Sequence, residues 1–276
     1  MNRATLLGLA LGIVGISTIA QADTNYFNGF ENAGDESAWI ADGAPAVRAA
    51  TNSDPYSVGS AGGNYHATVT NDDDDYQPGY GTGGYTYFGG KVATYPGPFS
   101  QSMAIYINAD WAAPTNASTD AFWLDMSPSN TSGTSDYDAE HDFAFFANGS
   151  SVSVEADNGN GPTLADITTS GWYTFQMSYQ KGATGSSPIE TTLSVLGPGN
   201  TVLGSTTLDG GASSALGGNG YAWLTVWQNG FAGDHLDIDN LQTSSTPLPA
   251  SAWGGLMLLG GLGVVRLLKH RREVSA

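Results

Sequence analysis

Tyr173-Thr174-Phe175-Gln176-Met177-Ser178-Tyr179 alternates large apolar and polar side chains without a break. A period of two puts Tyr173, Phe175, Met177 and Tyr179 on one face of an extended strand, where a helix would scatter them around its axis. The same period recurs outward in both directions. Met103, Ile105 and Ile107 alternate with Ser102, Ala104 and Tyr106, and Phe122, Leu124 and Met126 alternate with Trp123 and Asp125. Leu193 and Val195 begin another stripe. Phe143 and Phe145 run into Asn148-Gly149, a strong hairpin signal, and Val152 and Val154 answer on the return. Residues 221–227 are apolar on both faces, as a central strand requires, and Leu236 and Ile238 alternate with Asp237 and Asp239 in a last strand. No amphipathic helix of useful length intervenes. Many short strands parted by Gly, Asn and Pro turns predict an all-β fold, a jelly-roll-like β-sandwich.

Residues 57–90 break the pattern. They are glycine-rich, carry the run Asp72–Asp75 and hold Tyr65, Tyr76, Tyr80, Tyr85 and Tyr87. A long surface loop is expected there, with at most a short hairpin at residues 85–88.

Composition excludes several classes. The 276 residues hold 26 acidic and 8 basic side chains and no cysteine. Without a basic field there is nothing to replace condensed counterions, so nucleic acid is not an expected partner. The missing cysteines remove disulfide scaffolds, zinc ribbons and thiol catalysis. No histidine sits in a nucleophile-elbow context and no glycine-rich phosphate loop opens a helix.

The two ends read as targeting segments. Residues 1–22 form a signal peptide: Arg3 supplies the positive start, 6–19 the apolar run, and Ala20-Gln21-Ala22 the cleavage pattern. Residues 250–268 are apolar apart from Arg266 and are followed by Lys269, His270, Arg271 and Arg272. Nineteen helical residues span about 28 Å, enough for one transmembrane helix with its basic tail, residues 269–276, in the cytoplasm. Everything before the helix then faces outward. Between these ends lie an acidic sandwich domain, residues 23–241, and a polar linker, residues 242–249. Taking Arg3, Arg266, Lys269, Arg271 and Arg272 from the 8 leaves Arg48, Lys91 and Lys181; taking Glu273 from the 26 acids leaves 25, a formal charge of −22.

The C-terminal pattern resembles one family. Thr246-Pro247-Leu248-Pro249-Ala250-Ser251-Ala252-Trp253, a Gly/Leu-rich span and a basic tail look like a PEP-CTERM sorting signal of the Pro-Leu-Pro-Ala subtype, with Thr246 where valine is usual. The resemblance covers about the last 30 residues and implies exosortase as a partner, membrane anchoring before processing, and the cell envelope or exopolysaccharide matrix as destination. A rigid Pro-x-Pro ahead of a span also offers a protease an extended strand.

A second resemblance covers the ends of the domain. Asn28-Gly29-Phe30-Glu31, followed by Trp39, resembles the opening strand of jelly-roll carbohydrate-binding modules. Residues 236–241 resemble their closing strand, and 171–175 a stretch shared with uncharacterised sandwich domains bearing PEP-CTERM tails. The resemblance implies a structural calcium where first and last strands meet, with Glu31 and Asp239 as ligands and Asp237 as an additional one. Hard oxygens on adjacent strands would otherwise repel, and a cation turns repulsion into a staple.

Two further constellations stand out. Tyr221, Trp223 and Trp227 share one strand face, with Ala222, Leu224 and Val226 on the other. On an open face such a row stacks against sugar rings; in the core it only packs. Asp138, Glu140 and Asp142 alternate about 7 Å apart, a spacing that could suit glycoside hydrolysis. The Glu-x-Asp-x-x-Glu pattern of laminarinase-like sandwiches is absent, which favours a solvated strand end. The expectation is a secreted, non-catalytic sandwich contacting exopolysaccharide, against a glycoside hydrolase or lyase and against a purely structural matrix protein.

Overall fold

The computed structural model describes residues 23–42, 46–51, 58–70, 82–88, 91–92, 98–113, 122–128, 141–157, 161–182, 189–210, 218–226 and 235–245. These residues form two antiparallel sheets of eight strands each. The first contains β1 (Asp23–Asn28), β3 (Ala46–Ala50), β4 (Tyr65–Thr70), β7 (Phe99–Ile107), β12 (Gly171–Lys181), β13 (Ile189–Gly197), β14 (Thr201–Gly210) and β16 (His235–Ser245). The second contains β2 (Trp39–Asp42), β5 (Thr82–Thr86), β6 (Lys91–Val92), β8 (Phe122–Pro128), β9 (His141–Ala147), β10 (Val152–Ala156), β11 (Thr163–Ile167) and β15 (Gly218–Val226). Strand order is β14-β13-β12-β7-β16-β4-β3 in one and β11-β10-β9-β8-β15-β5-β2 in the other. Among the described residues helical structure is limited to short 3-10 turns, so the all-β expectation describes the fold.

Period-two patterning does what its physics demands. Tyr173, Phe175, Met177 and Tyr179 are buried, as are Met103, Ile105, Ile107, Phe122, Leu124, Met126, Phe143 and Phe145. The sheets interlock through aromatic rings. Phe175 of β12 meets Phe143 and Phe145 of β9 edge-on at 5.5 and 4.9 Å, and Phe145 stacks on Phe122 of β8 at 3.9 Å. Rings this close add about 0.5–1.5 kcal/mol per pair beyond their burial. The β9–β10 hairpin turns at Asn148, whose side chain accepts from the amides of Ser150 and Ser151, and Gly149 takes φ of 84°.

β1 and β16, near opposite ends of the chain, pair from Asp23 with Ser245 to Asn28 with Leu241. The other edge of β16 pairs with β7, while its first residues pair with β4. One closing strand therefore carries three partners.

Two expectations are corrected. The segment 57–90 holds two sheet strands, β4 and β5, where a loop was expected. In β4, Ala67 and Val69 face the core, but His66 and Thr68 are buried on the other side too, so polar and apolar burial are interleaved. In β5, Gly83 and Gly84 carry no side chain to read; at Gly84 a Cβ would overlap the Trp39 indole. The linker expected from 242 is also shorter, since Gln242, Thr243, Ser244 and Ser245 pair with both β1 and β7. Backbone ladder bonds hold these polar residues in place without an apolar stripe. The expected signal peptide, Pro247-Leu248-Pro249-Ala250 motif and C-terminal span lie outside the described residues, among which no helix is long and apolar enough to cross a membrane.

Overlap at Gly84 gives a test of this packing. Gly84→Ala should lower stability by about 1–3 kcal/mol, the usual range for an overpacked core site. Urea denaturation followed by tryptophan fluorescence measures it.

Candidate functional site

The acids named from sequence lie at the junction of β1 and β16. Asn28 ends β1 with a local turn: its Oδ1 accepts from the Phe30 amide at 2.9 Å, and its Nδ2 donates to the Asp35 carbonyl at 2.8 Å. Phe30 enters the core with φ of 56°, which leaves Glu31 facing the loop before β4. Glu31 Oε1 accepts from the amides of Asn64 and Tyr65 at 2.9 and 3.0 Å. Gly63 just before them must be glycine, because its φ is 83° and a Cβ would run into that carboxylate. Arg48 Nη2 donates to the Glu31 carbonyl at 2.6 Å, and its guanidinium lies over the Tyr65 ring at 3.2 Å.

Asp239 grips the same loop from the other strand. Its Oδ2 accepts from the amides of Ala61 and Gly62 at 2.9 and 3.2 Å, and its Oδ1 from Asn240 at 2.7 Å. The residue is fully buried. Burial pushes its pKa up to about 7, and the three amide donors and the nearby His66 only partly offset that. Structure thus brings Glu31 and Asp239 together on one loop. Asp237 takes another role: its Oδ1 accepts from Thr68 Oγ1 at 2.8 Å and lies 3.6 Å from His66 Nε2, all buried against β4. Among the described residues no three histidine or carboxylate side chains converge on one point.

The aromatic row lies on the second sheet. Ala222 and Leu224 of β15 are fully buried, while Trp223 faces the opposite side and is half-buried. Its indole stacks on Tyr85 of β5 at 5.8 Å with planes 14° apart, and Tyr87 meets Tyr85 edge-on at 5.4 Å. The indole also covers Gly83, where a Cβ would stand 2.7 Å from its Nε1. Ladder register makes a line across five strands: Ile40 beside Tyr85, Tyr85 beside Trp223, Trp223 beside Asp125, and Asp125 beside Asp142. Ile40 is exposed, and the two aspartates are half-buried. The Tyr221 side chain, Trp227, Asp138 and Glu140 lie outside the described residues. Sequence reading missed Tyr85 and Ile40 as members of this face. Only strand pairing brings them beside Trp223, and β5 was hidden by its glycines.

No family model matches the chain and no curated protein does. Among solved structures it is similar to the basic winged bean lectin in complex with Tn-antigen, at 12% identity and TM-score 0.46, over 82% of this chain and 99% of that one. It is similar at 8% identity to the Emp47p carbohydrate recognition domain, with TM-score 0.46 over 84% and 100% of the two chains. A PL-14 alginate lyase from Aplysia kurodai matches at 8% identity and TM-score 0.42, over 67% and 85%. At such identities and scores the likeness says nothing of ligand or activity.

Asp239 gives a signed pH dependence. A carboxyl with its folded-state pKa above the unfolded value near 4 binds its proton more tightly when folded. The stability this supplies is present at low pH and is lost as pH rises through the interval from about 4 to about 7. Asp239→Asn cannot ionise. The wild-type melting temperature minus that of the variant should therefore fall across that interval and level off above it.

Proposed function

We propose that this is an exosortase-sorted extracellular protein of the envelope or exopolysaccharide matrix, non-catalytic, contacting glycans through the outer face of its second sheet. The observation that carries the reading is the Trp223–Tyr85 stack, two parallel rings placed outside the core. Flat aromatic surface desolvates the apolar face of a sugar ring, and carboxylates beside it can accept hydrogen bonds from hydroxyls. Asp125 continues the line from Trp223 and supplies such an acceptor. Sorting rests on the sequence pattern at residues 246–272 alone.

Calcium belongs to the proposal, with Glu31 and Asp239, which grip one loop from two sides, as its ligands. A bound cation would favour the ionised Asp239 and stiffen that loop. Millimolar calcium after EDTA treatment should raise the melting temperature, and Asp239→Ala should remove the rise. Absence of a rise would leave backbone amides as the whole of the staple.

One observation favours a second reading. Asp125 and Asp142 stand opposite each other in the ladder, about 5 Å apart at Cβ, next to the aromatic pair. Two neighbouring carboxylates are the minimum that glycoside hydrolysis requires, so a hydrolase or lyase on matrix polysaccharide is the competitor.

Binding and turnover separate the readings. Affinity electrophoresis should show retardation by a polysaccharide that Trp223→Ala weakens at least tenfold while the variant stays folded by circular dichroism, and no new reducing or unsaturated ends should appear. Product formation lost in Asp142→Asn would replace binding with catalysis. A Trp223→Ala variant retarded like the wild type would remove the aromatic face as the contact, and a wild type that no gel retards would leave a purely structural matrix protein.

A further inference from the structure

The outer face of the first sheet carries a groove of ≈ 440 Å³ that no sequence motif announces. Its floor is a second line across the strands, set by register: Phe27 of β1 beside Gln242 of β16, Gln242 beside Ser102 of β7, and Ser102 beside Gln176 of β12. Thr174 and Leu196, paired between β12 and β13, form a parallel line one step along. Asn240 closes the groove toward the loop held by Glu31 and Asp239, its amide group lying against Gly62.

Two properties of this groove bear on its ligand. In a domain of formal charge −22, every side chain lining it is uncharged. Amides and hydroxyls predominate, each able to donate and accept, which is the pattern that vicinal hydroxyls of a sugar require. The second property is Phe27. It is 56% exposed, the most exposed aromatic ring among the described core-sized hydrophobics, and it stands at the groove's edge. Burying such a ring in water-free contact is favourable, and an aromatic wall beside amide acceptors matches a pyranose with one apolar and one hydroxylated aspect.

We infer that this groove is a second carbohydrate-binding site, selective for uncharged glycan chains. It shares with the function proposed above only the premise that a glycan is the ligand; it does not use Trp223. Uronate polymers are disfavoured by the domain's net acidic charge, which a neutral chain does not feel. Gln176 and Gln242 flank Ser102 and hold the hydroxyls, and Phe27 covers a ring face. The sheets lie back to back, so this site and the Trp223 face point away from each other.

The test uses the purified full-length protein in detergent and gels containing dextran, hydroxyethylcellulose or galactomannan, with alginate as the anionic probe. At least one neutral gel should retard the wild type. Gln176→Leu, which keeps the side chain's size and removes its amide, should weaken that retardation at least fivefold, and Phe27→Ala should do the same. Melting temperatures of both variants should stay within a few degrees of the wild type, since the changes are on the surface. If Phe27→Ala fails to fold, Phe27→Leu, which keeps the apolar bulk and removes the ring, takes its place. The inference is overturned if no neutral gel retards the protein, if alginate retards it as strongly, or if Gln176→Leu migrates like the wild type. The two sites fail separately. Retardation lost in Trp223→Ala but kept in Gln176→Leu assigns binding to the aromatic face and removes the groove; the opposite pattern keeps the groove and removes the aromatic face.

Discussion

Asp239 is shielded from water, yet its carboxylate accepts from the backbone amides of Ala61, Gly62 and Asn240. That cluster organises the first sheet's outer face. Glu31 accepts from the amides of Asn64 and Tyr65, just beyond Gly63, so the segment leading into β4 is fastened to the end of β1 and to β16 at once. Those two strands are themselves partners, and β16 also carries β4 and β7. A carboxylate stripped of water would be costly if its oxygens had no donors. Here the donors are backbone groups that the loop would otherwise leave unsatisfied. Each side of the contact removes a penalty from the other. The same bonds place Asn240 at φ of 50°, where β16 shifts register against β7 and the groove ends.

Charge has a different distribution on the two faces. The second sheet combines its ring pair with Asp125 and Asp142, so any ligand there must tolerate carboxylates close by. The first sheet's groove has only amides, hydroxyls, Phe27 and Leu196. In water of physiological ionic strength the field of distant charges is screened within about 8 Å. Local lining therefore decides what each face accepts, while the net charge limits which polymers approach closely. The net acidic charge disfavours anionic polymers on approach, and the uncharged lining then decides what is held.

How much of this was legible depended on how each strand is buried. β7, β8, β9, β12 and β13 bury one apolar face, and their alternation could be read directly. β15 is central and apolar on both sides, and sequence alone left open which side Trp223 takes. Ala222 and Leu224 settle it by filling the core, because only one side of a strand can. β4 escaped because His66 and Thr68 are as buried as Ala67 and Val69, a polar outer side covered by Asp237 and by the Trp172 ring. β5 escaped because indoles occupy the space its glycines vacate. The carboxylates Glu31 and Asp239 were found through resemblance to an opening and a closing strand. What they hold, a run of backbone amides, has no side-chain signature, so sequence could name the acids without naming their partners. The groove was illegible for a related reason. Gln176, Gln242 and Ser102 are unremarkable polar positions until strand register lines them up.

The proposed placing of glycan recognition on both outer faces has a consequence that follows from the sandwich itself. Stacked sheets are about 10 Å apart, and the core between them is filled by interlocked rings that prevent either face from bending toward the other. Two outer faces therefore cannot close on the same stretch of polymer. A glycan held in the groove leaves the Trp223 face open to another chain, or to a distant part of the same chain folded back. Each contact can then be individually weak, as small polar grooves and single aromatic stacks are, because the first attachment raises the effective concentration of the second. If both faces bind glycan as proposed, that arrangement would make a rigid crosslink in a hydrated polysaccharide network, its strength set by the spacing between chains more than by the affinity of either face.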